Sequence, residues 1–395
     1  MMGLAPYGKP VYYDLILENM IDLKDDGSYK LNMDYFAYTY DQQMISAKFV
    51  ELFGYLPREP ESKIEQHHSD IAMSIQQVTE EIMLRMANHL YEETEQKNLC
   101  MAGGVALNSV ANGRIIRETP FENVFIQPAA GDAGGALGVA SFIWFNILDN
   151  KRDVSQKRNP NTIGPEKDFM QNAYLGPEYS KEEIKRFLDK KGVVYEVFER
   201  QEILEITAEI IANQKVVGWF QDRMEWGPRV LGNRSILADP RDKKMQEIVN
   251  LKIKFRESFR PFAPTVLLDK APEYFELDRQ SPYMLLVTPV RENKRIIPAV
   301  THVDGSARVQ TIAREDNPLY YDLIEEFYKL TGIPVIINTS FNVRGEPIVC
   351  TPEDAYTCFM RTKMDNLVME TFMMRKEDQK PIDEDKDWQK EFRLD

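Results

Sequence analysis

The residues best suited to chemistry are ten lysines and arginines between positions 223 and 260 of a chain whose net charge is −14. Arginine binds phosphate and carboxylate oxygens through two parallel hydrogen bonds. Arg229 lies among glycines and a proline in "GPRVLGNR", and Arg260 lies beside Pro261. Such a backbone restricts both head groups. A local basic cluster in an acidic protein favours a small anionic ligand over a polyanion.

The alternative is a solvated basic face whose cations pair with nearby carboxylates, which are Glu225, Asp239 and Glu257. We accept that interpretation for Lys243 and Lys244. For Arg229 and Arg260, which have aromatic neighbours in the sequence, ligand binding is the better hypothesis. Arg308, in "HVDGSARVQT", is expected to reach the same anion.

A second dense group of polar residues, "NTSFNVRGEP" at 338–347, follows the apolar strand "TGIPVII". Its hydroxyl, amide and guanidinium side chains offer both donors and acceptors to a polar ligand. The "PIVC" that follows is predicted to form a short strand. Thr351, Pro352 and Asp354 then predict the start of a helix with a capping box.

Two glycine-rich segments, "AGGVALN" and "AAGDAGGALG", each lie where a strand is followed by a helix. Glycines let the backbone approach a phosphate, and a helix N-terminus offers free N–H groups. Asp132, in the second segment, is placed to bind a metal ion that bridges phosphates. The alternative is that the glycines only permit tight turns, with Asp132 as an N-cap. Two such turns favour nucleotide binding, although neither has the P-loop or GxGxxG spacing.

Length and composition limit the class of protein. A chain of 395 residues usually forms two or more domains. No apolar stretch has membrane-spanning length, and the acidic balance argues against general nucleic-acid binding, so we predict a cytoplasmic protein. Three scattered cysteines and four histidines leave no disulfide framework and little imidazole for a metal. His302 is interpreted as a structural hydrogen-bonding residue, with a general base as the alternative.

The elements that must position these residues indicate an α/β protein, because predicted strands alternate with helices. Apolar residues from Ile71 to Leu90, three or four apart, predict a helix over 70–96 with Ser69 as its N-cap. Periodicity is lost over 151–180, which predicts a domain boundary or a long connection there.

Taken together, the motifs resemble one family, the O-carbamoyltransferases of the nodulation and antibiotic-biosynthesis type. The resemblance rests on seven segments in register: "MGLAPYGKP" at 2–10, "LCMAGGVALNSVANGRI" at 99–115, "QPAAGDAGGALGVA" at 127–140, "GPRVLGNRSILADPR" at 227–241, "KFRESFRPFAP" at 254–264, "HVDGSARVQT" at 302–311 and "NTSFNVRGEPIVCTPEDA" at 338–355.

The resemblance implies an α/β fold in two parts. Residues 1–165 would form the second lobe of an actin/sugar-kinase-like domain, similar to the tRNA threonylcarbamoyladenosine transferase. Residues 166–395 would form a threonylcarbamoyl-AMP-synthase-like domain. The second part would make carbamoyl adenylate from carbamoyl phosphate and ATP. The first would transfer the carbamoyl group to a hydroxyl of a small-molecule acceptor.

The resemblance also implies site residues and cofactors. The catalytic set would be Arg229, Lys254, Arg260 and Arg308, and the substrate-binding set Ser340, Asn342 and Arg344. Nucleotide would be bound by Gly103, Gly104, Asn108, Gly131 and Gly134, with Asp132 as a metal ligand. The implied cofactors are ATP and Mg²⁺, with Fe²⁺ or Zn²⁺ in the complete protein.

Family members begin well before "MGLAPYG", and the segment that precedes it forms the first lobe of the kinase-like domain. We therefore expect the partner of this chain to be a separate N-terminal lobe or a second copy of the chain, and neither a membrane nor nucleic acid. Two other functions stay open: a threonylcarbamoyl-adenylate enzyme of tRNA modification, and a non-catalytic remnant or subunit.

Overall fold

A computed structural model describes residues 1–152 and 170–381. Its helices are α1 (Tyr13–Asn19), α2 (Ala47–Phe53), α3 (Gln66–Thr94), α4 (Ser109–Glu118), α5 (Ala133–Phe142), α6 (Lys181–Lys191), α7 (Arg200–Ala212), α8 (Lys244–Val249), α9 (Ala271–Tyr274), α10 (Pro318–Thr331) and α11 (Pro352–Arg361). Its strands are β1 (Ile21–Leu23), β2 (Tyr29–Leu31), β3 (Asn98–Met101), β4 (Asn123–Ile126), β5 (Glu196–Val197), β6 (Val217–Phe220), β7 (Arg234–Ala238), β8 (Ala263–Leu267), β9 (Leu286–Pro289), β10 (Ser306–Ile312), β11 (Val335–Ser340), β12 (Asn366–Met369) and β13 (Phe372–Arg375). The predicted α/β class is confirmed.

The described residues form two compact units. One comprises Met1–Cys100 and Val110–Phe125, and the other comprises Met101–Ser109 and the described residues from Ile126 onward. The predicted boundary between residues 165 and 166 lies outside the described residues, so the division into 1–165 and 166–395 stays a prediction. Within residues 1–152 and 170–381, no helix is both long enough and apolar enough to cross a bilayer.

The long helix of the first unit, α3, exists as predicted but begins earlier. Glu65 is its N-cap and forms a capping box with His68, whose Nδ1 accepts the Glu65 N–H at 2.9 Å. Ser69 is buried inside the first turns, so its assignment as N-cap was wrong. The reciprocal pair of Glu65 and His68 satisfies the free groups that a serine cap would have satisfied.

The predicted apolar face of α3 is only partly buried. Val78 belongs to the core of the first unit with Ile16 and Phe53, and other apolar residues of α3 pack around it. Farther along the helix, Met86 is 50% exposed and Leu90 is 43% exposed. Met83, Leu84 and Ala87 in the same part of the helix are buried, so the helix packs in both halves and its buried face departs from the predicted one toward its C-terminus.

The second unit is built on a nine-stranded mixed sheet in the order β5-β13-β12-β6-β7-β11-β8-β10-β9. The pairs β6/β12 and β8/β10 are parallel, and the other adjacent pairs are antiparallel. The central strands β6, β7 and β8 are buried along their whole length. Burial on both faces explains why most of their residues are apolar.

This topology brings four distant motifs to one edge of the sheet. Strand β11 is antiparallel to both β7 and β8, whereas β10 is parallel to β8. The beginnings of β7, β8 and β10 therefore lie beside the end of β11, where Ser340 pairs with Ser235. The segments that enter these strands and the segment that leaves β11 carry the predicted anion ligands.

The segment after β11 differs from the prediction in one respect. Residues 347–350 form no strand, because Pro347 has no N–H to donate and Val349 makes only a single backbone bond, to Phe341 O at 3.0 Å. The predicted capping box of α11 is confirmed. Asp354 N–H donates to Thr351 Oγ1 at 3.1 Å, and Thr351 N–H donates to Asp354 Oδ2 at 2.9 Å.

Candidate anion-binding site

The loop 227–233, which enters β7 and carries Arg229, is held by a buried carboxylate. Glu225 Oε1 accepts the N–H groups of Leu231 at 2.7 Å and of Asn233 at 2.8 Å. Because a buried carboxylate that accepts several backbone N–H groups fixes their directions, the loop has little freedom. The glycines and proline around Arg229 predicted a fixed backbone, and the structure adds the group that fixes it.

Side chains from other elements hold the carbonyl oxygens of the same loop. Leu231 O accepts from Gln310 Nε2 and from the Tyr174 hydroxyl, each at 2.9 Å, and Val230 O accepts from Asn338 Nδ2 at 3.4 Å. Asn338 Nδ2 also donates to Gln310 Oε1 at 2.8 Å. Two buried atoms of this network, Glu225 Oε2 and Asn338 Oδ1, have no partner among the described residues, but its bonds to the loop backbone still restrict the loop that carries Arg229.

Two glycines in the loop adopt conformations that other residues avoid. Gly227 has a φ of +123° and Gly232 a φ of +115°. A Cβ at Gly232 would lie 2.2 Å from the ring of Tyr320, and one at Gly227 would lie 2.9 Å from Pro128 O. The loop can pass this close to its neighbours only with glycine at both positions.

Two predicted catalytic arginines are held without a partner. The Arg229 and Arg308 guanidinium groups make no hydrogen bond or ion pair with any residue in 1–152 or 170–381, and Arg229 Nε is buried. Burial lowers the pKa of Arg229. Burial, and then the positive charges of Arg229 and Arg256, lower the pKa of Arg308 well below its ordinary value. Like charges gathered in a desolvated place without a counter-ion would be stabilised by a bound anion.

Lys254 links the basic segment to the polar residues after β11. Its ammonium group shares its three N–H donors among four oxygens, which are Ser340 O, Ser340 Oγ at 3.0 Å, Asn342 O at 2.9 Å and Asn342 Oδ1 at 2.7 Å. Burial, and then the charge of Arg256, lower the pKa of Lys254 well below its ordinary value. The structure therefore brings together three predicted residues that lie up to 88 positions apart.

The segment after β11 is also held by its own residues. Asn342 Nδ2 donates to Glu346 O at 2.6 Å, and the Val343 N–H donates to Glu346 Oε2 at 2.8 Å. Arg344 is buried, and its backbone N–H donates to Lys254 O at 3.2 Å. Much of the polar character of "NTSFNVRGEP" therefore serves to shape this turn around Lys254.

Arg256 and Arg260 lie close together in the sequence, but the structure gives them different surroundings. Arg256 acts electrostatically on both Lys254 and Arg308. It therefore belongs with Arg229, Lys254 and Arg308 to one group of positive charges, called here the cation cluster, although it was not among the predicted site residues. Its Nε donates to Asn250 Oδ1 at 2.8 Å. Arg260 Nε donates to Glu257 Oε2 at 3.0 Å. A ligand role for Arg260 stays a prediction, and in such a role it would share the guanidinium with Glu257.

The glycine segments form close turns in the second unit. Gly103 has a φ of +96°, and its N–H donates to Ala130 O at 2.9 Å. A Cβ at Gly134 would lie 2.1 Å from Ala129 O, and only glycine permits that approach. Asp132 precedes α5 without a side-chain capping bond. The described residues contain no group of three or more His, Cys, Asp or Glu that could hold a metal. Nucleotide binding by the predicted residues, including Gly104, Asn108 and Gly131, and metal binding by Asp132 stay predictions.

Two family models match this chain, and one of them spans the basic site and most of the nine-stranded sheet. The family model "Carbamoyltransferase C-terminus" matches residues 208–376, and "Carbamoyltransferase N-terminus" matches residues 1–141. The chain therefore belongs to the carbamoyltransferase family, as the motifs predicted.

Several curated proteins are similar over nearly the whole chain. An uncharacterised protein of Synechocystis is 53% identical over 100% of this chain and 66% of its own length. Nodulation protein NolNO of Sinorhizobium fredii is 39% identical over 97% of this chain and 53% of its length. Nodulation protein NolO of Bradyrhizobium diazoefficiens is 38% identical over 95% of this chain and 65% of its length. The chain spans about half to two thirds of the length of these relatives.

Among solved structures, full-length HypF in a phosphate- and nucleotide-bound form aligns with 46% of this chain and 22% of its own, at 16% identity and a TM-score of 0.31.

Proposed function

We propose that the chain binds carbamoyl phosphate at the cation cluster and uses ATP to form carbamoyl adenylate. The observation that carries this proposal is the pair of guanidinium groups, Arg229 and Arg308, which lie together without a partner among the described residues. Arginine forks match phosphate oxygens in charge and geometry. Membership of the carbamoyltransferase family supports a carbamoyl compound as the ligand.

The reaction has to balance. Carbamoyl phosphate and water give carbamate and phosphate, and the carbamate oxygen then displaces pyrophosphate from the α-phosphorus of ATP. Arg229 and Arg308 would bind the phosphate of the donor. Lys254, held by Ser340 and Asn342, would lie toward its carbamoyl end. Arg260 and Arg344 would complete the surroundings. Mg²⁺ bound with ATP would neutralise charge on the triphosphate.

The second half of the proposal is transfer of the carbamoyl group to an acceptor. The glycine segments near Gly103 and Gly134 would bind the adenylate, and the carbamoyl carbon would pass from the AMP oxygen to a hydroxyl oxygen of a small acceptor. The hydroxyl proton and AMP would leave. In this proposal a separate N-terminal lobe or a second copy of the chain would take part in this step.

Exchange of radiolabelled pyrophosphate into ATP tests the first half. We expect exchange in the presence of carbamoyl phosphate and Mg²⁺, and none without an acyl donor. Arg229→Lys should lower the rate by about 10²–10³, by analogy with the loss of one electrostatic stabiliser in a water-excluded site. Lys243→Ala, in the solvated face, is the matched control and should be nearly silent. Equal exchange with threonine and bicarbonate would instead assign the chain to the tRNA-modifying enzymes.

A further inference from the structure

The segment "HVDGSAR" places four polar residues at alternate positions: His302, Asp304, Ser306 and Arg308. Ser306 and Arg308 both lie in β10, and residues two apart in a strand point to the same face, about 6.6 Å apart. Arg308 belongs to the cation cluster. A group bound to Ser306 is therefore a near neighbour of the proposed ligand.

His302 is bound to Ser306 in a way that fixes its tautomer. The Ser306 hydroxyl lies 2.7 Å from Asp304 Oδ1, and the Ser306 N–H donates to the same oxygen at 2.9 Å. A carboxylate oxygen accepts, so the single hydroxyl proton of Ser306 points to Asp304. His302 Nδ1, 3.1 Å from Ser306 Oγ, must then donate to it. Nε2 is left with a lone pair and no proton.

Such a hydrogen-bond acceptor would complement the cation cluster. Arginine and lysine only donate hydrogen bonds, so the cation cluster can satisfy phosphate oxygens but not an N–H group of the ligand. The nearby oxygens of Ser340 and Asn342 accept from Lys254, which leaves each with fewer free lone pairs for a ligand. A carboxylate acceptor would repel the phosphate. A neutral imidazole accepts without that repulsion. Burial, opposed by Asp304 and assisted by the charge of Arg308, lowers the pKa of His302 to about 4, so the ring is neutral at physiological pH.

We infer that His302 determines the specificity of the site: its Nε2 accepts a hydrogen bond from an N–H on the acyl end of a bound acyl phosphate. The inference rests on the proposed function, since it assumes that the cluster binds an acyl phosphate. It assigns to His302 a ligand contact in place of the purely structural role that the sequence favoured. Ser306 and Asp304 are positioning residues, because they act on the ligand through the tautomer of His302.

Carbamoyl phosphate and acetyl phosphate provide the test, because they differ by NH₂ in place of CH₃. Calorimetric titration of the intact chain with each, and with inorganic phosphate, should show a preference for carbamoyl phosphate of about tenfold or more, since acetyl phosphate leaves Nε2 without a donor. His302→Asn keeps an N–H near the Nδ1 position but has no Nε2. It should bind both acyl phosphates within about twofold of each other and inorganic phosphate as the wild type does. His302→Gln places an amide oxygen near the Nε2 position and should keep the preference.

A His302→Asn variant with the wild-type ratio would overturn the inference, and so would a wild-type chain that binds both acyl phosphates equally. A wild-type chain that binds neither would refute the proposed function and the inference with it. Nitrogen NMR of the intact wild-type chain tests the same point without a variant. One of its four histidines should show an unprotonated Nε2 that shifts with carbamoyl phosphate and not with acetyl phosphate. Absence of that selective shift would also overturn the inference.

Discussion

Replacing Arg308 by methionine should make the protein more stable and remove anion binding. Arg308 is partly buried, and most substitutions at buried or partly buried positions destabilise a protein, so the sign of this effect is informative. The Arg308 guanidinium has no partner among the described residues, and the charges that act on it most, Arg229 and Arg256, are positive. Methionine keeps the unbranched apolar stem and removes the charge.

The magnitude follows from the cost of a buried polar or charged group without a partner, about 1–3 kcal/mol. Arg308 is partly buried, so Arg308→Met should recover at most about that much, which for a chain of 395 residues corresponds to a rise in the unfolding midpoint of about 1–4 °C. The wild-type chain should gain about 2.7 kcal/mol from phosphate at one hundred times its dissociation constant. The variant should gain almost nothing from the same phosphate.

Arg241→Met is the matched control. Arg241 is ion-paired with Asp239, whose side chain is fully buried, with Arg241 Nε 2.8 Å from Asp239 Oδ2. Arg241→Met leaves the buried Asp239 carboxylate without its cation. Because the Arg241 side chain is 35% exposed and Gln214 Nε2 still donates to Asp239, the cost should fall below the about 3–5 kcal/mol of a fully buried pair but remain destabilising. Thermal unfolding with and without phosphate should therefore move the two variants in opposite directions. An Arg308→Met variant as unstable as Arg241→Met, or one still stabilised by phosphate, would refute the reasoning.

Three further outcomes are expected. Arg229→Lys should weaken phosphate binding in a titration, because a point charge cannot reproduce a bidentate fork, whereas Lys243→Ala should leave it unchanged. Gly232→Ala should lower the free energy of unfolding by more than about 3 kcal/mol in a denaturant titration, because its positive φ and the ring of Tyr320 both exclude a Cβ. His302 has a pKa of about 4 in the folded chain and an ordinary value near 6.5 when unfolded. The neutral His302 therefore contributes fully to the free energy of unfolding above pH 6.5. That contribution is lost as pH falls toward 4, by up to about 3 kcal/mol. His302→Phe should remove that part of the pH dependence.

The sequence predicted the parts of the fold that depend on local pattern. The capping box at Thr351 and Asp354 formed as expected, because all its partners lie within four residues. The start of α3 was misplaced because Glu65 and His68 compete with Ser69 for the same free N–H groups, and the serine became buried instead. Local preference cannot decide such a competition when tertiary burial favours one outcome.

Contacts between distant segments were harder to predict. The bonds from Lys254 to Ser340 and Asn342 depend on the order of β7, β11, β8 and β10 in the sheet, and local sequence patterns do not predict that order. The same limit applies to Arg256. It stands two positions from Lys254 in the sequence, but only the folded chain reveals that its charge acts on both Lys254 and Arg308.

The two arginines of the segment "GPRVLGNR" show how ligand-binding cations can be told from structural ones. The Arg234 guanidinium stacks 3.6 Å from the ring centroid of Phe220 and donates to backbone oxygens, among them Asn233 O and Asp222 O at 3.1 Å. Arg229, five residues earlier, lies on a loop whose Leu231 N–H and Val230 and Leu231 carbonyls are hydrogen-bonded, yet its own guanidinium binds no described residue. The hydrogen bonds hold the backbone of the loop, and the charge of Arg229 remains without a counter-ion among the described residues. Such an arrangement destabilises the chain by itself, and a bound anion would remove that cost.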